Sequence, residues 1–199
     1  MIDTLQVHVQ FLKNSDLFQN VLTYSAIGTA FAGTSSNIKA ISTFNEYQYF
    51  TGQTSLANNA FSYSNIREIT FPNTIRSIGR FAFGQCWQLP EMVLPEGITT
   101  TAAEWIFGSF RVALIDFPST MTSIIGYGLA PHTGPSYQVN YNVIIRAVTP
   151  PAVDSNITRH TNKLIAIYVP DESVDVYKTA TNWSGLASKI KPISEYAGG

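Results

Sequence analysis

Charge is scarce in this 199-residue chain: Asp, Glu, Lys and Arg make up 13% of it, against about a quarter in average usage, and the net charge is −1. No basic field exists to hold a nucleic acid or an anionic membrane, and polyanion partners are excluded on that ground. Cysteine is nearly absent. Cys86 stands alone, so no intramolecular disulfide forms, and thiol usage does not report the compartment. Long apolar runs are missing too. None approaches the roughly 18 residues of a membrane-spanning helix. The first residues, with an acid at Asp3 and with Gln6, His8 and Gln10 between apolar positions, do not read as an export signal. On this reading either a signal is removed or the protein leaves its cell by another route, such as inside a virion. No His, Cys or Asp cluster has metal-ligand spacing, and Gly79 and Gly84 are too isolated to cradle a phosphate. The expectation is therefore no metal, no cofactor and no enzymatic activity.

What the chain does have is repetition. Hydrophobic residues make up 45% of it, with an aromatic share of 13%, and between Ser55 and Thr122 they return at a fixed interval. Pro72, Pro95 and Pro118 follow one another at 23 residues, each closing a run of the form apolar-x-x-apolar-x-apolar: Ile66, Ile69, Phe71; then Leu89, Met92, Leu94; then Val112, Ile115, Phe117. The pairs Ala60-Phe61, Ala82-Phe83 and Ile106-Phe107 precede these runs, and Ile75, Ile98 and Met121 follow the prolines. A period of this length marks a repeat array in which one unit makes one coil. The run predicts a short strand, stacked in parallel on its neighbours at about 4.8 Å per rung. Side chains alternate across a strand, so the outward set is Glu68, Thr70, Glu91, Val93, Leu114, Asp116, Ala166 and Tyr168.

The flanks complete one structural domain in three parts. Residues 1–35 form an N-terminal cap, with alternation at Leu5, Val7, Val9 and Phe11 for a strand and a short helix at Leu17, Val21 and Tyr24, running into a degenerate first coil. Residues 36–170 form the repeat array. It is interrupted at 126–141, where Gly and Pro rule out regular structure, before VIIRAVTPP and LIAIYVP resume the pattern. Residues 171–199 cap the other end. There Asp171 or Ser173 caps a helix whose Val174, Tyr177 and Ala180 lie on one stripe.

The unit resembles the BspA-like class of leucine-rich repeats. The middle copy carries the likeness most fully, through Ile78-Gly79, Ala82-Phe83, Cys86, Leu89, Met92, Leu94-Pro95 and Ile98. FNEYQYFTGQTSL resembles the segment before the first regular repeat in such proteins, and AIYVPDESVDVYKTATNWS resembles their closing stretch. The likeness implies a right-handed leucine-rich-repeat solenoid, of α/β or β-rich class, with a short parallel strand ladder and a cap at each end. It also implies non-catalytic adhesion or binding of protein or glycan partners at a bacterial cell surface. Relatives often carry a calcium-binding loop of alternating carboxylates where this chain has KNSDLFQNV, which lacks those carboxylates and the turn glycine, so calcium is not implied here. An alternative is a structural or receptor-binding virion component of a bacteriophage infecting gut-type bacteria, with a homo-oligomer or assembly into a larger particle left open.

Candidate binding residues fall where the repeat fails or faces outward. From the interruption come Tyr127, His132, Tyr137 and Tyr141, tyrosine giving large contact area at low entropic cost. From the outer ladder come Glu68, Glu91, Asp116 and Tyr168; one period places Glu68 and Glu91 at equivalent positions on adjacent rungs. Trp87, Trp105 and Phe110 lie on turns, where core filling or lateral packing is favoured over an exposed aromatic patch. Cys86 reads as a small buried core residue rather than a nucleophile served by His8, His132 or His160. Asn156-Ile157-Thr158 and Asn182-Trp183-Ser184 match the glycosylation pattern, which is read as coincidence.

Overall fold

The computed structural model describes residues 32–101, 111–131 and 139–198. The expected N-terminal strand and helix, together with Trp105, Phe107, Phe110, His132 and Tyr137, lie outside the described residues.

Among the described residues, eleven short strands are divided between two walls. In chain order they are β1 (Thr43–Phe44), β2 (Ser55–Leu56), β3 (Glu68–Ile69), β4 (Ser77–Ile78), β5 (Glu91–Val93), β6 (Leu114–Phe117), β7 (Ser123–Ile124), β8 (Tyr141–Ile145), β9 (Ala152–Val153), β10 (Leu164–Val169) and β11 (Ile190–Pro192). The runs closed by proline form the first wall. There β1 pairs with β3, and β5, β6, β8, β10 and β11 make a five-stranded sheet in that order, every pairing parallel. The register puts Met92, Ile115, Val143, Ile167 and Ile190 in one row, all buried in the core. The adjacent row, Val93, Asp116, Ile144, Tyr168 and Lys191, faces away from that core.

A second wall is built from the segments after the prolines. β2 pairs with β4, β7 with β9, and Thr100 bridges to Ser123, all in parallel. The proline carbonyls start each crossing in the same way: Ile75, Ile98 and Met121 donate their backbone N–H to the carbonyls of Pro72, Pro95 and Pro118, and all three side chains are buried. A third wall has no regular strands. Asn59, Phe61 and Tyr63 donate to the carbonyls of Arg80, Ala82 and Gly84 on the next coil. Phe61 and Phe83 point inward from it and stack at 5.3 Å with 10° between their planes. Phe44 packs on Phe61 and Phe71 on Phe83. The aromatic column fills the wide interior that short strands leave, as the recurring phenylalanines predict.

The expected interruption at 126–141 starts later than the sequence suggests. Gly128, Leu129 and Ala130 continue the pattern, Leu129 buried where Phe83 sits two units earlier. A side chain at 128 would meet Ile124 Cγ2 at 2.4 Å, so the glycine that reads as a loop signal is a close-packing requirement of the coil. Tyr141 belongs to β8 and is completely buried.

At the C-terminal end, Pro170 leads through a short turn into the helix α1 (Val174–Thr179), which buries Tyr177 and half-buries Val174 and Ala180, as the stripe predicts. Tyr177 donates its hydroxyl to the Ala147 carbonyl at 2.7 Å, and Trp183 its indole N–H to the Pro151 carbonyl at 2.8 Å. Neither Asp171 nor Ser173 caps the helix through its side chain. Asp171 accepts instead from the Ser194 N–H at 3.1 Å, pinning the last turn to the strand ladder. The ladder ends on β11, whose Pro192 has no N–H to donate and whose Lys191 is exposed, two features that blunt a sheet edge.

Candidate recognition surface

The outer face of the first wall has two halves with different surroundings. On the first coils it is open. Glu68, Thr70, Glu91 and Val93 are exposed, Val93 at 54%. Asn45 ties the first two together: its Nδ2 donates to Glu68 Oε1 at 2.7 Å, and its Oδ1 accepts from the Thr70 hydroxyl at 2.9 Å. Such cross-rung bonding holds the polar side chains in one orientation. Binding then costs less side-chain entropy than it would with free rotamers.

Between Val93 and the exposed Lys191 the face is covered. Ile144, Ala166 and Tyr168 form a second small apolar cluster on the outside of the sheet, packed under Ile193 and Tyr196 with Leu114 at its edge. The Tyr168 and Tyr196 rings are 4.9 Å apart. Partial burial pushes the Tyr196 phenol up, and the neighbouring Glu91, Tyr168 and Asp116 add to the rise, which sets Tyr196 at the boundary between the covered and open halves. Asp116 is only 5% exposed, and Arg146 grips its carboxylate with two bonds, Nε to Oδ1 at 2.9 Å and Nη2 to Oδ2 at 2.7 Å. That bidentate hydrogen bonding holds the Arg146 guanidinium above its ordinary range, burial opposing it. The Asp171 carboxyl is held below its ordinary range by the hydrogen bonds from Ser194.

Of the eight expected binding residues, two therefore stand open on the ladder, Glu68 and Glu91. Asp116 and Tyr168 are corrected: both sit on the outer face as strand alternation requires, but Arg146 and Tyr196 cover them. Tyr141 is corrected as a core residue. Tyr127 is half-buried, its ring meeting His160 edge-on at 5.0 Å, with Arg159 Nη1 at 3.5 Å from its hydroxyl. His132 and Tyr137 lie outside the described residues. Glu68 and Glu91 do not share a sheet, since β3 pairs with β1 and β5 with β6.

The thiol reading holds. Cys86 is completely buried, its Sγ–H directed to the Phe61 carbonyl at 3.0 Å with the Ser64 hydroxyl at 3.5 Å, and burial pushes the thiol up to about 11. His160 packs on Tyr127 and is not its partner. No group of three or more His, Cys, Asp or Glu among the described residues could hold a metal ion. Trp87 departs from expectation: 47% exposed rather than in the core, it donates its indole N–H to Gln85 Oε1 at 2.9 Å. Asn182 spends its side-chain N–H on the Val153 carbonyl at 2.7 Å, in keeping with a coincidental glycosylation match.

Asn45, Arg146 and Tyr196 are absent from the expected set. Asn45 had a signal, because it precedes Glu68 by one 23-residue period. Arg146 and Tyr196 had none: Arg146 directly follows β8, at a place where the apolar skeleton does not specify the side chain, and Tyr196 comes from the closing turn.

No helix among the described residues is long and apolar enough to cross a membrane, and no curated protein matches the chain. Residues 54–130 match the family model described as BspA type leucine rich repeat region, in 6 copies, a class of repeat often surface-associated and concerned with binding. With the 23-residue proline interval and the parallel ladders, that match makes the stretch from 54 to 130 a BspA-type leucine-rich repeat region.

Proposed function

We propose that the chain is a non-catalytic recognition module that binds a protein or glycan partner at a bacterial cell surface, its coils winding as a right-handed solenoid closed by a cap at each end. The observation that carries this reading is the uncovered half of the outer ladder. Glu68, Thr70, Glu91 and Val93 stand exposed there, while the middle of the same face is covered by the protein's own Arg146, Ile193 and Tyr196. A mixed patch of two carboxylates, a hydroxyl and an aliphatic side chain suits a partner that offers hydrogen-bond donors around an apolar contact. The low charge elsewhere keeps non-specific ionic association weak.

The test is an array of matrix proteins and glycans probed with the whole chain, followed by Glu68→Lys and Glu91→Lys on any ligand retained. Binding that weakens about tenfold or more in both variants supports the ladder as the contact face. Silence across the array, together with ordered self-assembly in solution, overturns it in favour of the virion-component alternative.

A further inference from the structure

We infer that the third wall carries a separate binding site for a neutral sugar ring, in the hollow between two successive coils lined by Asn59, Ser62, Tyr63, Phe81, Gly84 and Gln85. The hollow measures about 230 Å³, below the roughly 300 Å³ at which pockets for drug-sized ligands begin. It fits one ring and not an extended peptide.

Backbone strain gathers here, His160 and Asn182 being the other non-glycine cases among the described residues. Asn59, Tyr63, Phe81 and Gln85 have φ of 58°, 53°, 52° and 60°, the left-handed region. For a residue with a Cβ that conformation costs about 1–2 kcal/mol, less for asparagine and nothing for glycine. The coil imposes this geometry, since Asn59 and Phe81, like Tyr63 and Gln85, occupy corresponding places on adjacent coils. The choice of side chain is not imposed. Two aromatic rings and a long amide stand where glycine would hold the same backbone at lower cost, and all three line one hollow. Strain of this kind gathers where a side chain is needed.

The lining chemistry names the ligand class. Aromatic faces carry negative charge and attract the polarised C–H groups of a pyranose. Gln85, which accepts the Trp87 indole N–H through Oε1, carries two amide N–H donors besides. The Asn59 carboxamide and the Tyr63 hydroxyl supply further donors and acceptors for sugar hydroxyls. No lining residue is a carboxylate or a cation. Arg80 lies over the Phe81 ring at 4.9 Å, and one guanidinium is not the positive track that a stacked nucleotide strand needs.

The site names a ligand class within the recognition reading above but lies on a different wall from the ladder, so each can fail without the other. The experiment immobilises the whole chain and measures retention of polymers bearing mannose, galactose, glucose or N-acetylglucosamine. The variants are Tyr63→Gly and Gln85→Gly, which satisfy the left-handed backbone and so leave melting temperature unchanged or raised. Retention of at least one sugar polymer by the native chain is expected, weakened about tenfold or more in both variants. It should be unaffected by Glu68→Lys, and insensitive to salt between about 0.05 and 0.5 M. No retention of any polymer, equal retention by both glycine variants, or retention that collapses with salt overturns the inference. Loss of matrix-protein binding in Glu68→Lys with sugar retention intact leaves it standing.

Discussion

Raising the pH should destabilise this protein through one buried thiol before any tyrosine contributes. In the folded chain Cys86 keeps its proton up to about pH 11, because burial penalises the thiolate more than its contact with Ser64 favours it. In the unfolded chain it ionises near the ordinary value of about 8.5. The unfolded state thus releases a proton that the folded state retains, and stability, fully present below pH 8.5, falls as pH climbs from there toward 11. With those two values the loss is about 1 kcal/mol at pH 9 and about 2 kcal/mol at pH 10. A domain of this size is stable by only about 5–15 kcal/mol in total, so the drop is measurable.

The assay is urea unfolding followed by tryptophan fluorescence at pH 7, 8, 9 and 10, native chain against Cys86→Ala. The alanine variant starts lower, having lost a buried side chain, but its stability should stay level up to about pH 9.5, where the buried phenols of Tyr47, Tyr141 and Tyr177 begin to act in both proteins. The difference between the two curves isolates the thiol. Parallel pH profiles in native and variant chains would refute the reasoning, as would thiolate absorbance rising near pH 8.5 in the folded protein.

The other expectations concern packing and polar contacts. Phe83→Ala removes a completely buried ring stacked on Phe61 and should cost about 3–5 kcal/mol in denaturant unfolding; a double-mutant cycle with Phe61→Ala should show coupling of about 0.5–1.5 kcal/mol. Tyr177→Phe leaves the Ala147 carbonyl without its 2.7 Å donor and should cost about 1–3 kcal/mol by the same measurement. Arg146→Ala strips the buried Asp116 carboxylate of both its bonds. It should destabilise the chain more than Asp116→Asn does, and the comparison at neutral pH separates an uncompensated charge from lost packing.

What the sequence made readable is what its period controls. Ile66, Ile69 and Phe71 predict the strand and its inward face because alternation within a run and recurrence every 23 residues act on the same side chains, and Met92, Ile115 and Val143 fall into one buried row as that requires. Polar neighbours follow the same arithmetic. Asn45 with Glu68, Glu96 with Ser119, Gly97 with Thr120 and Asp171 with Ser194 are each 23 residues apart and hydrogen-bonded across one rung. Tyr141 was misplaced, because a stretch rich in glycine and proline reads as loop whether the glycine serves a turn or, as at Gly128, close packing.

Exposure on the outer face follows a different rule. Alternation decides which way Asp116 and Tyr168 point but not what lies in front of them, and what lies there, Arg146 just after β8 and Tyr196 from the closing turn, is not specified by the apolar skeleton of the repeat. A repeat protein can therefore mask part of a single patterned face with side chains that its apolar skeleton does not specify. Here Tyr196 stands beside Glu91, and Glu68, Thr70, Glu91 and Val93 are exposed. If that boundary sets the extent of the binding face, Tyr196→Ser should widen it by uncovering Tyr168 and Leu114. The variant would then bind a hydrophobic dye that the native chain excludes, with little loss of core stability, because the Ile144, Ala166 and Tyr168 cluster is separate from the main core.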